Sequence, residues 1–270
     1  MNYIKIKNLT YKYDNENIFE NLNLEFNSSK CYLITGLNGC GKSTLLKLIG
    51  GKMLAQHDSV SVLNKDPFRD TSLNKHIAYL NNDWGTRTVA YCGYNIPLQS
   101  HIKVKEMMMK IKEEYPERNE ELLNVLKINP EWSLNAISDG QRKRVQIYLA
   151  LIKPFDICLL DEVTINLDII IKNELMNYLK KESIENKACI IYVTHIFDGS
   201  DKWCDNLLYL RKNGSIGFFD EKPKDNIYDF LLKKIYQEDK YEIEKVNDMS
   251  IFKNSGYNSG VLINFNYIMH

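Results

Sequence analysis

A run of nine residues has the types and spacing needed to bind the phosphates of a nucleotide. Residues 36–44 read GLNGCGKST and fit the pattern G-x-x-x-x-G-K-[ST] between a strand-like and a helix-like segment. Glycines let backbone N–H groups curl around phosphate oxygens, and the following helix adds the positive end of its dipole. We expect Lys42 to reach the β- and γ-phosphates, Ser43 to bind Mg²⁺ and Thr44 to donate to the α-phosphate. The predicted nucleotide-binding residues of this loop are Gly36, Asn38, Gly39, Cys40, Gly41, Lys42, Ser43 and Thr44.

Cys40 occupies a variable position of this loop and leaves two interpretations open. A thiol at the N-terminus of a helix can have a lowered pKa and respond to oxidation. Alternatively, cysteine is simply a small residue that fits the loop. We favour this second interpretation.

Acidic side chains and a histidine follow two apolar, strand-like runs, 157–162 (ICLLDE) and 190–195 (IIYVTH). Unpaired carboxylates at the end of a buried strand are costly, and a magnesium ion would remove that cost. We therefore expect Asp161 to hold Mg²⁺, directly or through water, and Glu162 to polarise the attacking water as general base. Without the phosphate loop upstream, two solvated acids would be the favoured interpretation. A lone strand-end histidine is usually structural, but the order of His195 after the acidic pair predicts contact with the γ-phosphate.

A second helix start has the features of an anion site. Residues 137–145 read ISDGQRKRV, in which Ser138, the Gly140 backbone and the first turn at Gln141 can surround an anion. One chain would then carry one phosphate loop but two phosphate-binding helix starts. A head-to-tail pair of chains resolves this mismatch, because the second site of each chain would cap the nucleotide on the other. The alternative is an ordinary helix cap of the S-x-x-Q type.

Strand-like and helix-like segments alternate along most of the chain, which favours an α/β fold with a mainly parallel central sheet. Unbroken apolar runs suit strands that are buried on both faces. Residues 101–136 interrupt this rhythm with helical segments and no convincing strand, so we expect an inserted α-helical subdomain. The predicted strands are 3–7 (an exposed antiparallel strand), 31–35, 156–160 and 188–194; the predicted helices are 43–49, 103–115, 118–127, 141–153, 169–182 and 226–238; a hairpin is expected at 206–219, turning at Asn213-Gly214.

Composition excludes several classes of protein. The chain has 270 residues, of which 44% are hydrophobic, and 35 basic side chains balance 35 acidic ones. This is typical of a globular protein and argues against coating nucleic acid by bulk charge. No apolar run approaches the ~20 residues that span a bilayer, and the first residues lack the apolar block of a signal peptide. The six cysteines are scattered, as expected for thiols of a reducing compartment, so we expect a cytoplasmic or nuclear protein.

Together, the motifs resemble those of an ATP-binding-cassette (ABC) ATPase. GLNGCGKST resembles the Walker A loop, ICLLDE the Walker B strand with its catalytic Glu162, and SDGQ the family signature LSGGQ. TINLD, which ends at Asp168, is similar to the D-loop, and His195 matches the switch histidine. The resemblance also places an aromatic residue upstream to stack on adenine. Tyr13 is the predicted residue, with Tyr11 as the fallback.

This resemblance implies the cofactors ATP and Mg²⁺, and a partner that is a second copy of the chain or a related cassette. It covers about residues 1–225, with an N-terminal antiparallel β subdomain and a helical subdomain at about 96–150. Residues 226–270 are left as a C-terminal helix and a tail of unknown role.

Two positions depart from the family pattern. Asp139 replaces the first glycine of the signature. Its negative charge either weakens the binding of a nucleotide between two copies of the chain or caps the helix start. Asn82 falls where the family has the glutamine of the Q-loop, and we expect it to reach Mg²⁺ through a water because its side chain is one methylene shorter. In transporters this loop meets the membrane subunit, so the change argues against such coupling.

A narrower resemblance comes from three stretches, ISDGQRKRVQI, LLDEVTINLD and YVTHIFDGSDKW. They are similar to the stand-alone ABC ATPases named for association with the carbon-catabolite-repression/NOT complex. Val163 in place of the usual proline and the HIFDG run are the telling features. This resemblance implies a chain with no membrane domain of its own.

Three functions follow as hypotheses. The first is an ATPase whose nucleotide-driven dimerisation regulates a protein complex, in transcription or mRNA turnover. The second is the nucleotide-binding subunit of a multi-chain membrane transporter. The third is a nucleic-acid or ribosome-acting cassette, but we expect this chain to be too short for the second cassette or the long coiled coil that such proteins carry. We interpret the basic triplet Arg142, Lys143 and Arg144 as a solvated helix face rather than a nucleic-acid site.

Overall fold

The computed structural model describes residues 2–13, 16–81, 86–89, 94–97, 102–165, 167–194, 200–224 and 226–238. The strands are β1 (Asn2–Tyr13), β2 (Glu16–Asn27), β3 (Lys30–Gly36), β4 (Val60–Val62), β5 (Ile77–Leu80), β6 (Thr86–Val89), β7 (Tyr94–Pro97), β8 (Ile157–Asp161), β9 (Cys189–Val193), β10 (Asn206–Leu210) and β11 (Ile216–Glu221). The α-helices are α1 (Lys42–Ile49), α2 (Val104–Glu114), α3 (Pro116–Leu126), α4 (Asp139–Leu151), α5 (Ile169–Glu185), α6 (Ser200–Trp203) and α7 (Ile227–Glu238).

A six-stranded sheet forms the core, in the order β11-β10-β3-β9-β8-β5. All its pairs are parallel except β10 with β11. Every residue of β8 and of β9 is buried, because helices and strands cover both faces of a parallel sheet. The predicted α/β fold with a mainly parallel sheet is confirmed. The carboxyl ends of β3, β8 and β9 therefore lie side by side, and the phosphate loop, the acidic pair and His195 each follow one of these ends.

The N-terminal segment forms a separate antiparallel sheet in the order β2-β1-β4. β1 is the central strand of this sheet. The expectation of an exposed strand at 3–7 is therefore wrong for one of its two faces, because Ile4 and Ile6 are buried there. The β1–β2 hairpin packs against the phosphate loop through β2. A Cβ on Gly41 would lie 2.7 Å from the Phe19 ring of β2, and Phe19 pairs with Tyr11 in the hairpin.

Helices α2, α3 and α4 follow one another between β7 and β8, which confirms the predicted helical insertion. An ion pair anchors it to the core, because Nη1 of Arg118 in α3 lies 2.7 Å from Oε1 of Glu182 in α5. Arg118 also donates from Nε to the Leu151 carbonyl at the end of α4. Its guanidinium lies over the Phe155 and Tyr178 rings. One side chain thus holds three helices together.

We expect Glu182→Ala to lower the free energy of unfolding by about 3–5 kcal/mol, because it leaves the Arg118 charge without its carboxylate in a buried setting. Urea unfolding measures the change. Lys181→Ala is the matched control, since it removes an exposed ion pair with Glu121 on the same two helices and should cost less than about 1 kcal/mol. Equal losses in the two variants would contradict the anchoring role of Arg118 and Glu182.

The chain divides into two compact units, Met1–Ile227 and Tyr228–His270. The first contains both large sheets and the helical insertion. In the second, the structure describes residues 228–238, which continue α7. A separate role for 226–270 stays a prediction.

Candidate functional site

The predicted phosphate loop joins the end of β3 to the start of α1, as the spacing of its glycines requires. Gly39 and Gly41 have φ angles of +82° and +96°, a region that favours glycine because other residues place Cβ too close to the backbone. Gly41 also lies against Ile18 and Phe19, where a Cβ would come within 2.7 Å of both side chains. These glycines let the loop turn tightly into α1, whose first N–H groups have no acceptor inside the helix.

Lys42 is the first residue of α1, and its side chain folds back across the loop. Its ammonium donates to the carbonyls of Gly36 and Leu37, each at 2.9 Å. The residue is only 7% exposed, so the loop encloses the charge. This places a buried cation at the centre of the phosphate loop.

The structure decides between the two interpretations of Cys40. The thiol is buried, with Sγ 3.8 Å from Nζ of Lys42. Burial raises the pKa of Cys40 above its usual value and outweighs the lowering by the Lys42 charge. A thiol with a lowered pKa is therefore contradicted, and the small packed residue is confirmed.

The acidic pair lies at the end of β8, beside the phosphate loop. The Ser43 hydroxyl donates to Oδ1 of Asp161 at 3.1 Å, so two predicted magnesium ligands are in contact. Glu162 follows with a left-handed backbone, φ +52°, and its N–H donates to the Val193 carbonyl of β9 at 3.0 Å. The backbone therefore leaves the path of β8 directly after Asp161.

Asp161 and Ser43 offer the carboxylate and hydroxyl oxygens that suit Mg²⁺. Burial raises the pKa of Asp161, and the neighbouring Glu162 charge raises it further against the effect of the Ser43 hydrogen bond. A divalent cation here would relieve the cost of ionising a buried carboxylate, so the donor set fits the metal. Across the described part of the chain, no three His, Cys, Asp or Glu side chains gather into a metal site. Phosphate and water oxygens, together with the predicted Asn82, would therefore supply the remaining ligands.

Tyr13 is better placed than Tyr11 to stack on a flat ligand. Tyr13 is 43% exposed, and its hydroxyl donates to Sδ of Met53 at 3.2 Å. Tyr11 is half-buried, packs against the core and meets the Tyr13 ring edge-to-face, with ring centroids 5.5 Å apart. This geometry favours the first of the two predicted residues.

The second predicted anion site begins α4 with a capping box. The Ser138 hydroxyl accepts from the Gln141 N–H at 3.2 Å, and the Ser138 N–H donates to the Gln141 side chain at 2.9 Å. The ordinary helix cap is thus present, while the backbone N–H groups of Asp139 and Gly140 keep the orientation of a helix N-terminus. Asp139 does not cap the helix; its carboxylate pairs with Arg142 at 2.9 Å.

Comparison with known proteins assigns these motifs to one family. Residues 19–165 match the family described as ABC transporter. The chain is 41% identical to ABC transporter I family member 20 of Arabidopsis thaliana, over 74% of its own length and 61% of that relative's. It is 36% identical to CCR4-associated factor 16 of Saccharomyces cerevisiae, over 79% of its own length and 76% of that relative's.

The chain belongs to the ATP-binding-cassette family. It is an ATPase that binds ATP, as its motifs predict. The narrower resemblance to the carbon-catabolite-repression/NOT-associated members is also confirmed, because CCR4-associated factor 16 is among its relatives.

Solved ABC cassettes share the fold. The ATP-binding subunit of an ABC transporter superposes with a TM-score of 0.72 at 19% identity, covering 86% of this chain and 99% of that one. A dimeric cassette in a post-hydrolysis state, bound to ADP and Pi, gives a TM-score of 0.66 at 24% identity, covering 82% and 100%. At these identities the likeness concerns the fold, and it agrees with the α/β cassette architecture. None of the helices within the described ranges has the length and hydropathy needed to cross a bilayer.

Two predicted residues of the ABC site, Asn82 and His195, lie outside the described residues. Their predicted contacts with Mg²⁺ and the γ-phosphate stay predictions.

Asp168, at the end of the D-loop, is the N-cap of α5 and accepts from the Ile171 N–H at 2.9 Å.

The cysteines that the structure describes are free and buried, namely Cys31, Cys40, Cys158, Cys189 and Cys204. Cys92 lies outside the described residues.

The basic triplet of the ABC signature helix is not a solvated face, and that interpretation is wrong. Arg142 and Lys143 are only 8% and 7% exposed. Arg142 pairs with Asp139, and Lys143 donates to a backbone carbonyl of the sheet domain. Arg144 donates to the Leu126 and Lys127 carbonyls. The acceptors of Lys143 and Arg144 are distant along the chain, and no local sequence pattern reveals such partners.

In this ABC chain, we expect Asp161→Asn to raise the free energy of unfolding at neutral pH when Mg²⁺ and ATP are absent. Because the folded-state pKa of Asp161 is raised, its ionised form opposes folding above that pKa, and the cost disappears as the pH falls toward the pKa of the unfolded chain. The amide removes the charge and keeps an acceptor for Ser43. Urea unfolding in EDTA measures the change, and a variant less stable than the parent would contradict the prediction. The same variant should lose Mg²⁺ affinity.

Proposed function

We propose that this ABC ATPase dimerises head-to-tail around ATP and Mg²⁺ and thereby regulates a protein complex that acts in transcription or mRNA turnover. The relationship to CCR4-associated factor 16, at 36% identity over 76% of that relative, carries the proposal. We place the protein in the cytoplasm and also in the nucleus, where such complexes act. Nucleic acid is not proposed as a direct ligand, because the basic residues of the signature helix are occupied within the fold.

The proposed catalytic unit combines residues from two copies of the chain. In one copy Lys42 binds the terminal phosphates, and Ser43, Asp161 and Asn82 hold Mg²⁺, which neutralises phosphate charge when bound. Glu162 takes a proton from the attacking water, and His195 contacts the γ-phosphate. The further nucleotide-binding residues are Tyr13, Gly36, Asn38, Gly39, Cys40, Gly41 and Thr44 from the same copy, and Ser138, Gly140 and Gln141 from the partner copy.

The contacts within one chain support this division of roles. The ammonium of Lys42 and the Ser43–Asp161 pair face the same loop, so they suit one triphosphate. The Ser138 helix start lies on the helical insertion, which is a separate part of the unit. Asp139, which replaces the first glycine of the signature, forms an ion pair with Arg142. Its negative charge beside the Ser138 cap is therefore balanced by a positive one.

Partner capture tests the proposed regulatory role. Tagged Glu162→Gln protein, held with ATP, should co-purify with soluble subunits of a transcription or mRNA-turnover complex. Lys42→Ala is the matched control and should retain fewer of them at ATP concentrations that saturate only the parent site, because its ATP affinity is lower. Recovery of integral membrane proteins alone would overturn the proposal.

The alternative is the nucleotide-binding subunit of a multi-chain transporter. It is favoured by the names of several relatives, among them the spermidine/putrescine import ATP-binding protein PotA of Borreliella afzelii, 28% identical over 71% of this chain. Membrane fractionation separates the two functions. A transporter subunit should sediment with membranes and permease subunits, whereas the proposed regulator should not.

A further inference from the structure

Two buried side chains of the signature helix converge on one backbone carbonyl. Nζ of Lys143 donates to the Asn81 carbonyl at 2.7 Å, and Nε2 of Gln146 donates to the same oxygen at 2.9 Å. Both residues are only 7% exposed, and each lies more than sixty residues from Asn81 along the chain. We call these two hydrogen bonds the α4 clamp.

The clamp joins the two parts of one chain that contribute to the proposed nucleotide sites, the sheet end with Asp161 and the Ser138 helix start. Asn81 directly follows β5, and β5 pairs with β8 so that Leu80 lies opposite Leu160. The Asn81 carbonyl is therefore at the level of Asp161, at the same end of the sheet. The other end of the clamp lies on α4, within about 12 Å of its Ser138 cap at 1.5 Å per residue.

The chemistry of the clamp shows that it fixes a position. A buried ammonium must be hydrogen-bonded to be tolerated, and a carbonyl oxygen has two lone pairs that can accept from two donors. Moving α4 along or away from β5 would break both bonds inside the protein, where an unmade hydrogen bond is expensive. The clamp thus favours one position of α4 against the sheet edge.

We propose that Lys143 and Gln146 are positioning residues that hold the Ser138 helix start at the distance needed to reach the nucleotide of a second copy. The inference rests on the proposed head-to-tail dimer. It predicts that the clamp contributes to closure of the dimer and not to ATP binding by the phosphate loop of a single chain. These two quantities can be measured separately.

The experiment uses the full chain with Glu162→Gln, so that bound ATP persists. In the variant Lys143→Met with Gln146→Met, both donors are lost while unbranched side chains and helix propensity are kept. ATP affinity is measured by fluorescence titration on dilute, monomeric protein, and dimerisation with ATP by analytical ultracentrifugation. We expect unchanged ATP affinity and a dimer dissociation constant raised by about tenfold to a hundredfold, because two buried hydrogen bonds that hold α4 are lost.

Arg144→Met is the matched control, because it also removes a positive charge from α4 and introduces methionine. It removes a neighbouring cation whose bonds end on the Leu126 and Lys127 carbonyls and whose guanidinium lies over the Trp132 ring, all within the helical insertion. Its dimer dissociation constant should match that of Glu162→Gln alone. Lys143→Arg keeps a donor and should restore most of the dimerisation, which a merely structural role for the lysine stem would not explain.

Each outcome is decisive. Normal dimerisation by the double variant would overturn the clamp and leave the proposed function intact. A Glu162→Gln chain that binds ATP and stays monomeric would overturn the head-to-tail dimer and the clamp together. If the double variant does not fold, Gln146→Met alone retains the buried lysine donor, and its dimerisation should still be weaker than that of Arg144→Met.

Discussion

Glu162→Gln is expected to lower ATP turnover by about 10²–10⁴-fold, the usual contribution of a general base. Glutamine keeps the size of the side chain and the hydrogen bond from the residue 162 N–H to the Val193 carbonyl, but it cannot accept a proton from water. ATP binding should persist, because Lys42 and Ser43 are unchanged. A phosphate-release assay measures turnover, and gel filtration with ATP should reveal a trapped dimer.

Glu185→Gln is the control for removal of a carboxylate. Glu185 is an exposed residue at the end of α5, and its variant should hydrolyse ATP at the parent rate. Hydrolysis at that same rate by Glu162→Gln would show that another group activates the water.

Lys42→Ala is expected to weaken ATP binding by about 10- to 100-fold. Hydrogen bonds to charged groups contribute about 1.5–3 kcal/mol, and each 1.4 kcal/mol corresponds to a factor of about ten in affinity. The enclosed ammonium is the cation nearest the loop carbonyls of Gly36 and Leu37, so its loss removes the main counter-charge for phosphate. Isothermal titration with ATP measures the change.

Lys52→Ala removes a positive charge from beyond the other end of α1. Lys52 is exposed and follows the helix, away from the loop at the helix start, and its variant should bind ATP as the parent does. Unchanged ATP binding by Lys42→Ala would mean that residues 36–44 are not the phosphate-binding loop.

The features predicted from sequence depend on local, contiguous patterns. The phosphate loop, the strand that ends at Asp161 and the cap at Ser138 can each be recognised from a few neighbouring residues, because their glycines, carboxylates and caps act on the adjacent backbone. The six predicted helices agree with the structure to within three residues at each end for the same reason, since apolar periodicity is a local signal, whereas the four-residue α6 was not predicted.

The features that were missed depend on distant partners. β2 was not predicted, because one face of ENIFENLNLEFN is solvated and the strand reads as polar until β1 pairs with it. Lys143 was expected in solvent, since nothing near it in sequence indicates that the Asn81 carbonyl lies within 2.7 Å. The Tyr13–Met53 contact likewise joins residues forty apart. Such contacts arise only when the chain is folded.

Because Lys42 donates to carbonyls of its own loop, ATP binding exchanges hydrogen bonds to these carbonyls for hydrogen bonds to phosphate. Two of the three ammonium N–H groups already have carbonyl acceptors, so a phosphate that takes either of them replaces an existing bond and only the difference contributes to affinity. When the product leaves, the same carbonyls can accept from the lysine again. The loop thus supplies the partners that a buried charge needs whenever the nucleotide is absent.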